Sequence, residues 1–521
     1  MSNASNAALT NSRGDGINRV MITISIMLAT IMQAIDTTIA NVALPHMQGS
    51  LSASQDQITW VLTSYIVAAA IATPLTGWLC DRFGQKGVFL FSVAGFTIAS
   101  VLCGMSGSLA QIVLARLLQG VFGAALVPLS QAVLLDINPR EKHGSAMAVW
   151  GVGVMVGPIL GPTLGGWLTD SYNWRWVFFI NVPVGIVAFY GIWKYIKRTP
   201  GVRGMHFDMF GFATLSLAVG ALQMLLDRGE QNDWFASLET WIEAIAMTIG
   251  FAYFIAHTML SPAGKSFIDY RLLKNRNYLI GLLFIFIVGM VLFATRALMP
   301  TLLQNLMGYS AQATGLATAP GGLGTMLSMM IVGRLVGKVD LRLLLTAGFG
   351  ITAFSLWQMT SYTLVLSQSN VIWPGVIQGF GLGLVFVPLS AATFATLSPE
   401  MRSQGTAMYS LIRNIGSSIG ISLVQTLLVR NTQVAHASLA EQVNLGSQGF
   451  FDPAIAAFYN LGNSVGLTSL NNEITRQASM IAYLDNFRLM LILTLLVIPL
   501  LLLIGPPKKN IPQNIDHAVI E

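Results

Sequence analysis

Charge is what this sequence has least of. Only 10% of its 521 residues are Asp, Glu, Lys or Arg, while 54% are hydrophobic and the mean hydropathy is +0.65. A soluble domain carries about 25% charged residues, so the chain reads as an all-α integral membrane protein. Cysteine is almost absent. Cys80 and Cys103 fall at opposite ends of one expected span, and about 20 helical residues separate them by roughly 30 Å, far beyond disulfide reach. No metal-spaced His/Cys cluster and no nucleophile elbow occurs, so nothing points to an enzyme. Gly264-Lys265-Ser266 looks like part of a phosphate loop, but Met259 stands at its first glycine position, which argues against an ATP-driven pump. Nothing resembles a selectivity filter. The formal net charge of +6 does not point to nucleic acid, because most Lys and Arg lie in short loops, where they set membrane orientation.

What the chain has in abundance is apolar runs. They predict fourteen spans: 20–44, 58–79, 87–105, 109–133, 145–168, 176–196, 207–226, 238–260, 278–300, 311–334, 343–362, 371–395, 403–429 and 484–504. The first run is too long for a cleaved signal peptide and is read as a retained span. With the N-terminus inside, twenty of the 28 Lys and Arg residues, from Arg13 and Arg19 to Lys508 and Lys509, fall in inner segments. That bias places both termini in the cytoplasm.

The chain also repeats itself. Gln119-Gly120, Val127-Pro128-Leu129-Ser130, Pro139 and Gly144-Ser145-Ala146-Met147 recur as Gln378-Gly379, Val387-Pro388-Leu389-Ser390, Pro399 and Gly405-Thr406-Ala407-Met408. A fainter echo links Gly77, Arg82 and Lys86 with Gly333, Lys338 and Arg342. Both echoes keep their loops on one side, the mark of a parallel repeat. Spans 1–6 match spans 9–14, and spans 7 and 8 are an inserted pair. The expected domains are an N-terminal tail 1–19, a six-helix bundle 20–196, the inserted pair with its linkers 197–277, a second bundle 278–504 with an outer loop 430–483, and a tail 505–521. Two such bundles suit a carrier that rocks about a central site.

Against this oily background, single charges stand out. Asp36 lies within span 1, where an ionised carboxylate costs about 3 kcal/mol or more, so it is expected to face an interior or a watery cavity. The competing reading is a cap at a helix break beside Thr37 and Thr38. Arg116 lies within span 4. Helical rise places Asp36 roughly 12 Å and Arg116 roughly 10 Å below the outer face, so the two share a level. They are expected to couple directly or through water, with Asp36 taking up and losing a proton as the bundles move. A purely structural ion pair is the other possibility. No other carboxylate lies well inside a span, since Asp208 and Glu243 sit near span ends, whereas Arg116, Arg296 and Arg413 are all within spans. That balance suits neutral or weakly acidic apolar cargo better than dications. Gln33, Thr37, Asn41, Gln119, Gln378 and Arg413 are candidate residues of the substrate cavity.

Two further motifs carry mechanism. Gly77-Trp78-Leu79-Cys80-Asp81-Arg82-Phe83-Gly84-Gln85-Lys86 joins spans 2 and 3. Gly77 and Gly84 permit a tight turn and close helix approach. Asp81, Arg82 and Lys86 form a charged latch expected to favour the outward-open state. In span 5, Gly153, Gly157, Gly161 and Gly165 recur four apart on one face, with Pro158 and Pro162 among them. This pattern predicts a hinge and a close seam between the halves.

These residues resemble the major facilitator superfamily, in which the G-x-L-x-D-R-x-G-x-K pattern of Gly77 to Lys86 regularly occurs. Asp36 to Pro45, Gly153 to Gly166, Trp174 to Pro183 and Leu225 to Phe235 further resemble the fourteen-span drug:proton antiporters of the EmrB/QacA type. The resemblance covers residues 20 to 505. It implies two pseudo-symmetric six-helix bundles plus two inserted helices in a bacterial inner membrane. It also implies export of hydrophobic drugs in exchange for protons, with no cofactor beyond the proton gradient. The partners it implies are a periplasmic adaptor of the EmrA kind and an outer-membrane channel of the TolC kind. An exporter or proton symporter for one metabolite on the same fold remains the alternative. Residues 430–483 are nominated for adaptor docking, or are a passive surface loop. One departure is plain: Gly375 stands where Arg116 would repeat, so the charge chemistry is expected in one half only.

Overall fold

A computed structural model describes residues 2–198, 201, 206–262, 266–443, 459 and 463–503. The Gly264-Lys265 stretch, Arg203, the tail from 505 and the middle of the 430–483 segment lie outside these residues. The described residues form fourteen long helices and no named strand: α1 (Ser2–Ser50), α2 (Trp60–Ala72 and Leu75–Phe83, bent by 53°), α3 (Gln85–Met105), α4 (Leu109–Ile137), α5 (His143–Ser171), α6 (Trp176–Tyr195), α7 (Met209–Arg228), α8 (Leu238–Leu260), α9 (Arg276–Leu306), α10 (Ala311–Leu335), α11 (Leu341–Met359), α12 (Gln368–Ala395), α13 (Arg402–Gln442) and α14 (Ser464–Leu500). Thirteen are long and apolar enough to cross a membrane, counting bent α2 as one. The remaining helix, α11, has 19 residues and is about 28 Å long. It packs between α12 and α14 and completes an arrangement consistent with fourteen spans.

The helices form two bundles with matching neighbours. In the first, α1 packs on α5 and α6, α4 on α2 and α3, and α3 on α6; in the second, α9 packs on α13 and α14, α12 on α10 and α11, and α11 on α14. The same arrangement thus occurs twice, six helices each time. The inserted pair α7–α8 packs on itself and touches the rest through α2 and α13. Each bundle needs small residues where backbones meet, because packing and not water exclusion holds helices together in lipid.

Two expectations change in the structure. The 430–483 segment is not a loop throughout: α13 runs on to Gln442 and α14 already begins at Ser464. The extensions are joined by a hydrogen bond between His436 Nε2 and Asn471 Oδ1 (3.0 Å). Hydropathy stops at residue 429 because it detects lipid contact, whereas a polar helix can continue about 20 Å beyond the bilayer. At the other end, α1 begins at Ser2, so residues 2–19 continue the helix of span 1.

The bundles meet along α5 and α10, and at one end through α2, α4 and α13. That end carries Arg82, Lys86, Arg334, Arg342 and Arg402 and is termed the basic end. The seam there is tight: a Cβ added to Gly333 would lie 2.6 Å from the Ala148 Cβ. At the far end it loosens, and a Cβ on Gly315 would be 3.9 Å from Pro162.

Candidate functional site

Asp36 and Arg116 meet. Arg116 Nη1 donates to Asp36 Oδ2 at 2.7 Å, with the two side chains 1% and 0% exposed. Their shared depth follows from helical rise alone, but their contact follows from the packing of α1 in the first bundle. The other Asp36 oxygen accepts from Gln119 Nε2 (2.8 Å) and Asn181 Nδ2 (2.8 Å). Ser100 Oγ ties the cage together by accepting from both amides, at 3.2 and 2.8 Å, while donating to the Phe178 carbonyl (3.0 Å). Arg116 Nε donates to the Val61 carbonyl (3.1 Å), and Nη1 also donates to Gln119 Oε1 (2.8 Å). The guanidinium lies 4.3 Å from the Tyr65 ring centroid and 5.7 Å from that of Phe178. The carboxylate thus receives three donors, two of them neutral, in a site closed to water. That completeness is what makes a buried ion pair tolerable, since a half-satisfied one costs several kcal/mol.

Span 5 fixes where α1 lies. Gly157 and Gly161 abut Ala34 and Thr38 so closely that a Cβ at either would collide with them. A Cβ on Gly165 would lie 2.8 Å from Ile39. Gly153 meets Met27 on the same face, and Thr38 Oγ1 donates to the Gly157 carbonyl (3.1 Å). This corrects the expected seam between halves. Residues four apart share one face, and that face is turned to α1 within the first bundle, bracketing Asp36. The other face of α5, with Ala148, Gly151 and Ile159, meets α10. The helix continues through Pro158 and Pro162.

The basic end is also built differently from the expected latch. Gly84 adopts φ +80° between α2 and α3, a conformation that disfavours any side chain. A Cβ on Gly77 would lie 2.9 Å from Gln404 Cα in α13. Lys86 Nζ donates to the Trp193 carbonyl (2.6 Å), a favourable place for a cation at a helix C-terminus. Asp81, however, accepts no hydrogen bond among the described residues. Among the described residues, a charged pair joins the bundles at Asp136–Arg402, with Nη1 donating to Oδ1 at 2.7 Å. Gln85 joins it, donating to Asp136 Oδ2 (2.9 Å) and Ser403 Oγ (3.1 Å).

The cavity candidates do not converge. Gln119 belongs to the Asp36 cage and is fully buried. Gln378, also buried, donates to Thr295 Oγ1 (3.2 Å) in the second bundle. Half-buried Gln33 donates to Tyr65 Oη (3.2 Å), half-buried Thr37 donates to the Ala34 carbonyl of its own helix (2.9 Å), and Asn41 is exposed. Arg413 is half-buried, with Nε unpartnered and Nη2 within 3.4 Å of Asn414 Oδ1. Arg296, half-buried one residue after Thr295, has no hydrogen bond or ion pair among the described residues. Sequence reasoning passed over Ser100, Asn181, Asp136 and Gln85. Only Asn181 carried a signal, as the one amide in an otherwise aromatic and apolar stretch from Trp176 to Pro183.

A family profile described as the Major Facilitator Superfamily matches residues 26–421. The chain is 37% identical to the fatty acid resistance protein FarB of Neisseria gonorrhoeae, over 93% of this chain and 96% of that one. It is 36% identical to the multidrug export protein EmrB of Escherichia coli K12, over 95% and 96%. Among solved structures it resembles the human organic anion transporter MFSD10, with a TM-score of 0.59 at 15% identity, covering 91% of this chain and 99% of that one.

Proposed function

This chain belongs to the major facilitator superfamily, and we propose that it is a proton-driven exporter of hydrophobic drugs in a bacterial inner membrane. The observation that carries this reading is the Asp36 cage. An acid with one arginine and two amides around it can be held by different partners when ionised and when protonated. While ionised it is held by Arg116. Once protonated, it can donate to an amide oxygen, because Gln119 and Asn181 each present an acceptor after a half-turn of the side chain. The site is closed to water in the present state, so proton exchange requires the bundles to move. One proton crossing about 100 mV supplies roughly 2.3 kcal/mol, enough for nearly fiftyfold accumulation.

The orientation follows the charge bias, with the basic end and both termini in the cytoplasm. The tight seam at that end then makes the present state outward-facing, with Gly77, Gly84, Gln85 and the Asp136–Arg402 pair as its latch. The domain limits 20–196, 197–277 and 278–504 serve as working boundaries of the two bundles and the inserted pair. The paired extensions of α13 and α14 are the proposed seat of a periplasmic adaptor, which would pass cargo to an outer-membrane channel. Cargo is best supplied by lipophilic acids. Among the described residues Arg296 and Arg413 have no acidic partner, and relatives include one named for fatty acid resistance.

The test is transport in proteoliposomes under an imposed pH gradient. Asp36→Asn is expected to abolish proton-coupled efflux of a lipophilic acid, and Arg116→Ala to reduce it at least tenfold. Near wild-type coupled transport in both variants would refute the assignment.

A further inference from the structure

The inserted helices hold an acid that the Asp36 centre does not use. Glu243 lies five residues inside α8, about 8 Å from its start. It is 7% exposed, and among the described residues neither of its carboxylate oxygens has a hydrogen-bond partner. Thr240, three residues earlier and on the same helix face, has a buried, unpartnered Oγ1, as does Ser216 of α7 at its Oγ. Glu243 and Ser216 line a cavity of about 720 Å³ between α2, α7 and α8, a size that suits a drug-sized ligand. Its remaining walls are mostly apolar, with Val67 and Ile71 of α2 facing Leu217 and Gly220 of α7.

Charge decides what this cavity takes. The groups around it are Asp227 and Arg228 at the end of α7, and Glu239 and Glu243 on α8; the facing stretch of α2 has none. Arg228 is paired with Glu239, and Asp227 accepts from Thr63. Three carboxylates therefore face one guanidinium, and the guanidinium is already engaged. An unpaired carboxylate in an apolar wall is costly unless a cation joins it. The cavity is separate from the Asp36 cage: Val61 and Tyr65 reach that cage from α2, whereas Val67 lies two residues beyond Tyr65, on the opposite side of the helix.

We propose that this cavity binds a primary-ammonium amphiphile. The ammonium has three N–H donors and no acceptor, matching the two unpartnered oxygens of the Glu243 carboxylate. The tail lies along Val67 and Ile71. Both a free alkylamine and the ethanolamine headgroup of a membrane lipid present this chemistry.

The full-length protein in phosphatidylcholine nanodiscs is titrated with dodecylammonium by calorimetry. Saturable binding is expected, weakened at least tenfold in Glu243→Gln and in Gly220→Leu, which fills the cavity. Dodecyltrimethylammonium, without N–H donors, should also bind at least tenfold more weakly. Competition by added phosphatidylethanolamine identifies the lipid as the natural occupant, and its absence identifies a free amine; either outcome supports the site. Proton-driven efflux of a lipophilic acid should be unchanged in both variants, which reports that they fold. Unsaturable partitioning, or wild-type affinity in a transport-competent Glu243→Gln or Gly220→Leu, would overturn the proposal.

Discussion

Gln119 and Gln378 occupy corresponding places in the two bundles, and their surroundings differ by one charge pair. Gln119 donates to Asp36, which Arg116 holds. Gln378 donates to Thr295, which lies the same 259 residues beyond Asp36, while Gly375 replaces the arginine. The repeat therefore kept the hydrogen-bonded bridge between spans in both halves and kept the ionisable group in one. Removing the acid and the arginine together leaves no unpaired charge, which is why the second site can be neutral and still buried. On the proposed proton-driven mechanism, the bundle with the charged cage is the one that responds to protons, and its neutral twin is the partner against which it moves.

This contrast can be broken in steps. The largest effect should come from Arg116→Ala, which strands Asp36 among two amides. Removing one partner of a buried pair costs about 3–5 kcal/mol, read as a lowered unfolding temperature in detergent. Asp36→Asn combined with Arg116→Ala should recover most of that loss, and equal destabilisation in the double variant would show that charge is not the cause. Next, Thr295→Asp installs the acid without its arginine and should cost about 3 kcal/mol. Adding Gly375→Arg should restore part of it, if the second bundle retains the geometry of the first. No recovery would mean that the resemblance ends at Gln378. The smallest effect belongs to the latch, because Asp136 is 29% exposed. Asp136→Ala should shift the balance toward opening at the basic end by about 1 kcal/mol, or several-fold in population. Cys80, buried beside Ser403 in that contact, provides the readout, and its maleimide labelling should accelerate accordingly. Unchanged labelling would remove the Asp136–Arg402 pair from the closure.

Much of the site was legible because lipid makes charge conspicuous. Asp36 and Arg116 stand out in spans that otherwise carry none, and helical rise alone places them at one depth. Ser100 and Asn181 were not legible, since neutral polar residues are common in spans and their partners come from other helices. Asp81, which meets no hydrogen-bond donor among the described residues, was not placed by its motif for a related reason. A motif fixes which residues lie in a turn, but the bundle opposite decides which of them is met, and α13 presents Arg402 to Asp136. Likewise, the span 5 glycines define a face without saying which neighbour it meets, and that neighbour is α1.

The sequence by itself determined that the chain crosses a membrane many times, that its halves repeat, and that a single intramembrane acid sits level with an arginine. These are consequences of periodicity and of the cost of charge in hydrocarbon, both local along the chain. Only the tertiary structure decided that the acid is held by three donors from α4 and α6, that Asp136 and Arg402 join the bundles, and that Glu243 lies beside a cavity with no partner among the described residues. Those facts depend on which helices become neighbours. That is set by the sum of many small packing contacts, and no one stretch of sequence carries it.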